Sequence, residues 1–143
     1  MTSPLLKPAL YQAEGTATTP DAPALRGGRC HACGQVFFPM QRYGCESCGA
    51  AELDGTLLSG RGTLLARATV HLHARPDRPT PFVIGTVKLD DGPLVRTLLD
   101  AAPDALPPVG AVVHAVLRPA PADPATTADT PPPLDLRFTA MPA

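Results

Sequence analysis

The chain has no tryptophan, and aromatic residues make up only 4% of its 143 positions. It also lacks an excess of either charge: 12 Lys and Arg stand against 13 Asp and Glu, for a formal net charge of −1. Together these shortages argue against nucleic-acid binding, which calls for a basic stripe and stacking aromatics. No apolar run approaches the roughly 18–20 residues that a membrane-spanning helix needs. The opening Met1-Thr2-Ser3-Pro4-Leu5-Leu6-Lys7-Pro8 has neither the basic stretch nor the apolar core of a secretory signal, so a cytoplasmic, reducing setting is expected. There is no Gly-x-Ser-x-Gly nucleophile setting and no Gly-rich phosphate loop. Asp90-Asp91 precedes Gly92 as a turn, not as a carboxylate pair placed for acid–base work. Intrinsic catalysis is therefore not expected.

Cysteine is scarce too, but its placement is informative. All four residues lie between positions 30 and 48, as Cys30-His31-Ala32-Cys33 and Cys45-Glu46-Ser47-Cys48 with eleven residues between. A tight turn bearing two thiolates can aim both sulfurs at one ion, and two such turns complete a closed tetrahedral site. Each pair is followed by a glycine, Gly34 or Gly49, which tolerates the backbone twist that turns amide N–H groups toward the sulfurs. One structural zinc ion held by Cys30, Cys33, Cys45 and Cys48 is the reading that follows. Two disulfides would leave most of the chain unstapled. An iron site of rubredoxin type uses the same four ligands, although its two turns usually lie farther apart. A free redox carrier of that kind would be coloured.

With 44% hydrophobic residues, 12 Gly and 19 Pro, the composition suits short strands separated by turns. Residues 1–24 read as an N-terminal segment, partly helical or extended, with a helical candidate over Leu5–Glu14 and a linker over Gly15–Pro20. Residues 25–54 form the metal module, which includes a short strand at Val36-Phe37-Phe38. It is too small to bury a core of its own, so metal binding must supply much of its stability. Residues 55–143 carry a strand pattern. Ala66, Ala68, Val70 and Leu72 alternate with Arg67, Thr69, His71 and His73. Further strands are expected at Phe82–Leu89, Leu94–Leu99, Val109–Leu117 and Leu134–Ala140, with a hairpin turn at Asp90-Asp91-Gly92 and a mobile loop over Ala120–Pro133. Five strands at this spacing fit an OB-fold barrel; periodicity alone leaves an open sheet or a small sandwich equally open.

The histidines add little chemistry. His31 sits inside a cysteine turn, and His114 reads as a strand-surface residue. His71 and His73 share one strand face, which could hold a metal pair but lacks a third ligand.

Several motifs carry a family resemblance: Arg29-Cys30-His31-Ala32-Cys33-Gly34, Phe38-Pro39, Cys45-Glu46-Ser47-Cys48-Gly49, Ser59-Gly60-Arg61-Gly62-Thr63, Pro81-Phe82-Val83-Ile84-Gly85, Leu89-Asp90-Asp91-Gly92 and Val109-Gly110. The chain resembles, over about residues 25–141, the proteins that join a rubredoxin-like zinc ribbon to an OB-fold, long known as a domain of unknown function. The resemblance implies a mainly β protein: a zinc ribbon followed by a five-stranded OB-fold barrel. It implies a non-catalytic accessory subunit in a hetero-oligomer with a thiolase, acyltransferase or retro-aldolase of thiolase fold. That partner would act on acyl-CoA thioesters in lipid or steroid metabolism. The accessory chain would stabilise it and help shape the CoA-thioester site, with neither nucleic acid nor membrane as a partner. Arg61, Arg75 and Arg78 are the candidate contacts to CoA or to an acidic partner surface, since guanidinium forks suit phosphate oxygens. Two departures stand out: Glu46 occupies a position that is often proline, and the usual aromatic N-terminal helix is reduced to Leu10-Tyr11. The alternative is a single-stranded nucleic-acid-binding OB module.

Overall fold

A computed structural model describes residues 4–74, 79–120 and 131–140. Among them are nine β-strands and no helix. Four strands form the N-terminal sheet: β1 (Tyr11–Gln12), β2 (Ala24–Cys30), β3 (Val36–Phe37) and β4 (Leu53–Leu58). β2 is its centre, pairing antiparallel with β1, β3 and β4. The other five, β5 (Arg61–Val70), β6 (Phe82–Leu89), β7 (Leu94–Leu98), β8 (Val112–Pro119) and β9 (Leu134–Ala140), form a second sheet in the order β7-β6-β5-β8-β9.

That sheet curls until its edges meet. Leu99 and Phe138 form a parallel bridge, and the Asp100 amide donates to the Phe138 carbonyl at 2.7 Å. A meander of three strands, then two more that return to the other edge of the first, is the OB-fold arrangement. Closure along this line shelters the edges that an open sheet would present. Phe138, Leu64, Val87 and Val113 are fully buried inside. Tyr11, Leu25 and Leu58, all from the N-terminal sheet, belong to the same core.

The helix considered over Leu5–Glu14 is not formed. Pro8 cannot donate a helical hydrogen bond and disfavours helical geometry at Lys7. Instead Leu5 bridges Leu134 in parallel, and Tyr11 enters β1 and the core with 4% exposure. Residues 4–12 thus lie along the opening of the barrel, where the Leu6 amide donates to the Leu134 carbonyl at 2.8 Å. β4 spans the expected division between residues 54 and 55 but pairs only with β2, so the ribbon sheet extends to Leu58 and the barrel strands begin at Arg61.

The first barrel strand also differs from its expected form. It starts at Arg61 and ends at Val70, with a bulge between Leu64 and Ala66. Its buried side chains fall at Leu64 and the Gly62 backbone; Ala66 and Ala68 are exposed, as is Leu72 beyond the strand's end. The strand expected from Val109 begins at Val112, after a turn in which the Ala111 amide donates to the Pro108 carbonyl at 3.1 Å. Ala101–Pro108 is a series of turns without a helix. The hairpin at Asp90-Asp91-Gly92 is present, closed by the Gly92 amide on the Leu89 carbonyl at 2.9 Å. Most of the expected loop over Ala120–Pro133 lies outside the described residues; its two ends are joined by the Ala120 amide on the Pro133 carbonyl at 2.8 Å.

Candidate metal centre

Two turns of matching geometry bring the four cysteines together. In the first, the Cys30 amide donates to the Gln35 carbonyl at 2.8 Å and the Gly34 amide to the Cys30 carbonyl at 2.9 Å. The second repeats it: Cys45 amide to Ala50 carbonyl at 2.8 Å, Gly49 amide to Cys45 carbonyl at 2.8 Å. Gly34 and Gly49 both have φ of 80°, a left-handed conformation that a side chain would strain. The two turns are related as copies, each tied to its neighbours: Cys30 ends β2, and the His31 amide donates to the Glu52 carbonyl at 3.0 Å, next to β4.

The sulfurs converge. Cys30 and Cys48 Sγ are 3.6 Å apart, as are Cys33 and Cys45 Sγ, and all four lie within 4.8 Å of one another. Zinc–sulfur bonds of about 2.3 Å in a tetrahedron place sulfurs about 3.8 Å apart, so this cage has the right size for one zinc ion. Cys30 and Cys45 are buried and Cys33 and Cys48 exposed. Backbone amides favour the thiolate form: those of Cys33 and Ala32 draw the Cys30 thiol down to about 6 against the burial that opposes them, and those of Cys48 and Ser47 lower Cys45. At Cys33 the Gln35 amide pulls the same way, but burial and the three neighbouring sulfurs outweigh it and hold the proton up to about 12. Four close sulfurs resist shedding their last protons until a cation shares the charge. The donor set fits one structural zinc with no coordination position left open.

The ribbon's own apolar cluster consists of Cys30, Phe37, Cys45 and Leu53, with Met40 and Ala50 against it. Two of its four buried members are metal ligands. The ion therefore stands in for a core.

Among the described residues, the remaining sequence candidates are not part of the sulfur cage. His31 is exposed, with Nδ1 3.3 Å from Asp54 Oδ2, and is not among the sulfur ligands. Arg61 is half-exposed, its Nε 3.9 Å from Asp90 Oδ2, and it sits opposite His114 in the strand register. Arg75 and Arg78 lie outside the described residues. His71 and His73 fall beyond the end of β5, so the strand face they were expected to share does not exist; the His73 ring meets Phe82 edge-on at 5.5 Å. His114 is less exposed than a surface residue should be, and its Nδ1 is buried without a hydrogen-bond partner among the described residues.

Tyr11 went unrecognised in the sequence as a site residue. Its hydroxyl lies 3.0 Å from the Leu134 carbonyl and 3.1 Å from Asp135 Oδ1, and it accepts from the Lys7 amide at 3.1 Å. Burial, opposed by the Lys7 amide and reinforced by the Asp135 charge, pushes its ionisation up to about 12. A single aromatic beside Leu10, in a segment with few aromatics, was the only available signal.

Two family models match the chain. Residues 20–54 match the rubredoxin-like zinc ribbon domain of ChsH2, and residues 56–118 match the C-terminal OB-fold domain of ChsH2. A DUF35 domain-containing scaffold protein of Methanocaldococcus jannaschii is 31% identical over 97 residues, covering 66% of this chain and 67% of that protein. The benzoylsuccinyl-CoA thiolase subunit BbsA of Thauera aromatica is 33% identical over 82 residues, 57% of this chain and 56% of its own length. Among solved structures, the Ltp2–ChsH2(DUF35) aldolase superposes with a TM-score of 0.61 at 26% identity, over 82% of this chain and 84% of that one.

Proposed function

Because the chain belongs to the ChsH2 family, in which a rubredoxin-like zinc ribbon precedes an OB-fold domain, we propose that it is a non-catalytic accessory subunit of an acyl-CoA-processing enzyme of thiolase fold. The observation that carries this reading is the closed sulfur cage. With all four thiolates facing one another within 4.8 Å, a bound zinc has no vacant position for substrate and serves as a strut for the ribbon. The relatives support it from a second side, one being a scaffold protein, one a thiolase subunit and one part of an aldolase assembly. The chemistry then resides in a partner chain, which this protein stabilises and whose CoA-thioester site it helps to form. Contact of Arg75 or Arg78 with CoA phosphate belongs to the same reading, as does residence in the reducing cytoplasm, where the cysteines stay free for metal.

The test is affinity capture of the tagged protein from its native cells, followed by identification of any companion present in equal amount. A thiolase-fold chain is expected. A companion of another class, or none, overturns the proposal; a salt-sensitive shift with single-stranded oligonucleotides would favour the nucleic-acid alternative.

A further inference from the structure

The outer face of the barrel sheet carries an apolar stretch, which the strand register places. Val83, Gly85, Val87 and Leu89 of β6 are buried, so Phe82, Ile84, Thr86 and Lys88 point outward. Cross-strand pairing sets Ala68, Ile84 and Leu98 in one outward row and Ala66, Thr86 and Arg96 in the next. A solvated face would alternate to polar residues at these positions. Here four of the six residues in the two rows, Ala66, Ala68, Ile84 and Leu98, are aliphatic.

Three separate hollows adjoin this face, and neighbours share lining residues. One of about 260 Å³ lies at the barrel's opening, between Tyr11, Phe38, Ile84 and Leu98. A second of about 210 Å³, beside Ala66, Arg67 and Ala68, shares Ile84 and Arg96 with it. A third of about 230 Å³, reaching Arg137, shares Leu98 and Asp135 with the first. Each falls below the roughly 300–1,000 Å³ typical of small-molecule sites, a size that suits single side chains.

The charges lining the hollows are mostly positive: Lys7, Arg67, Arg96 and Arg137. The lone carboxylate, Asp135, already accepts from the Leu136 amide at 3.0 Å and lies 3.1 Å from the Tyr11 hydroxyl. Arg137 Nε is buried with no acceptor among the described residues. A donor in that position costs free energy until an acceptor reaches it.

We propose that this groove, centred on Ile84, Arg96 and Leu98, is the docking surface for an extended, acid-bearing segment of the catalytic partner chain, an inference that rests on the accessory-subunit reading above. Apolar side chains of that segment fill the hollows as anchors, and its carboxylates meet the cationic side chains at the hollows' rims, Arg96 among them. Successive same-side residues of an extended chain are about 6.6 Å apart, which matches the two-residue step between the outward rows.

The test uses the full chain and the companion identified by native capture. Ala68→Glu and Arg96→Glu, both at exposed positions, are compared with Leu57→Glu on the outer face of the ribbon sheet, and melting curves confirm that each variant folds. Both groove variants should weaken companion binding at least tenfold while Leu57→Glu binds normally. A photo-cross-linker at position 68 should join an acidic, extended peptide of the companion. Normal binding by both groove variants overturns the docking surface and leaves the accessory role intact. If the wild-type chain captures no companion, both proposals fail together. Native mass spectrometry showing a small molecule that Arg96→Glu releases, with the companion still bound, also overturns the proposal and assigns the groove to a ligand.

Discussion

Cys30 and Cys48 stand eighteen residues apart in the chain, yet their sulfurs are 3.6 Å apart, and Cys33 and Cys45 repeat the distance across the same centre. Each contact joins one turn to the other, so the cage closes only when both turns meet. A bound zinc would tie the end of β2 to the approach to β4. Because Leu25 and Leu58 on those strands belong to the barrel core, metal, ribbon and barrel form one mechanical unit.

Removal of the metal should therefore affect more than the ribbon. A strong chelator is expected to abolish amide-exchange protection across Cys30–Gln35 and Cys45–Ala50, and to lower the melting temperature of the whole protein. Retained protection in both turns without metal would contradict the strut role.

Single-ligand variants should behave alike despite their different exposure. Cys30→Ser and Cys33→Ser are each expected to reduce bound zinc well below one equivalent, since a four-sulfur cage loses its closure with any member. Metal analysis by plasma mass spectrometry reads this directly. Full zinc content in Cys33→Ser would show that the exposed sulfur is dispensable.

The Tyr11 hydroxyl ties the N-terminal segment to β9, and Tyr11→Phe should cost about 1 kcal/mol in denaturant unfolding, the net worth of a typical hydrogen bond. Its raised ionisation also has a pH signature. The neutral phenol is favoured in the folded protein relative to the unfolded chain, whose value is 10.0, so the increment it contributes is complete below pH 10 and is lost as pH rises toward about 12. In a Tyr43→Phe background, leaving Tyr11 as the single tyrosine, ultraviolet titration should show ionisation near pH 12 in the folded state; a midpoint near 10 would contradict the burial.

Leu64 is fully buried where β5 bulges, inside the barrel. Leu64→Ala should destabilise the protein by about 2–5 kcal/mol through lost burial and the cavity left behind. Ala66→Ser, two residues on and exposed, should change stability by less than about 0.5 kcal/mol. Equal effects would place the buried face of this strand elsewhere.

The parts legible in the sequence were those with local signatures. Cys-x-x-Cys-Gly turns declare their geometry within five residues, and Asp90-Asp91-Gly92 announces a hairpin. β6 and β9 show their inward faces as Val83, Val87 and Leu89, and as Leu136 and Phe138. β2 was hidden because Gly27-Gly28 reads as punctuation; in the fold a Cβ on Gly27 would come within 2.5 Å of the Phe37 carbonyl oxygen, so close backbone approach is the reason for the glycine. The alternation over Ala66–His73 misled because a bulge after Leu64 shifts the register and the rest of β5 runs past the core. Tyr11 was misplaced because its partners, Leu134 and Asp135, lie at the far end of the chain, and no local pattern encodes a contact at that separation.

The account is tested most directly by measuring acyl-CoA turnover with the purified companion alone, with this protein alone, and with the two reconstituted in equal amounts. Turnover is expected only, or at least tenfold faster, in the reconstituted assembly, and none from this protein by itself. Turnover by this chain alone, or a companion indifferent to its presence, would contradict it.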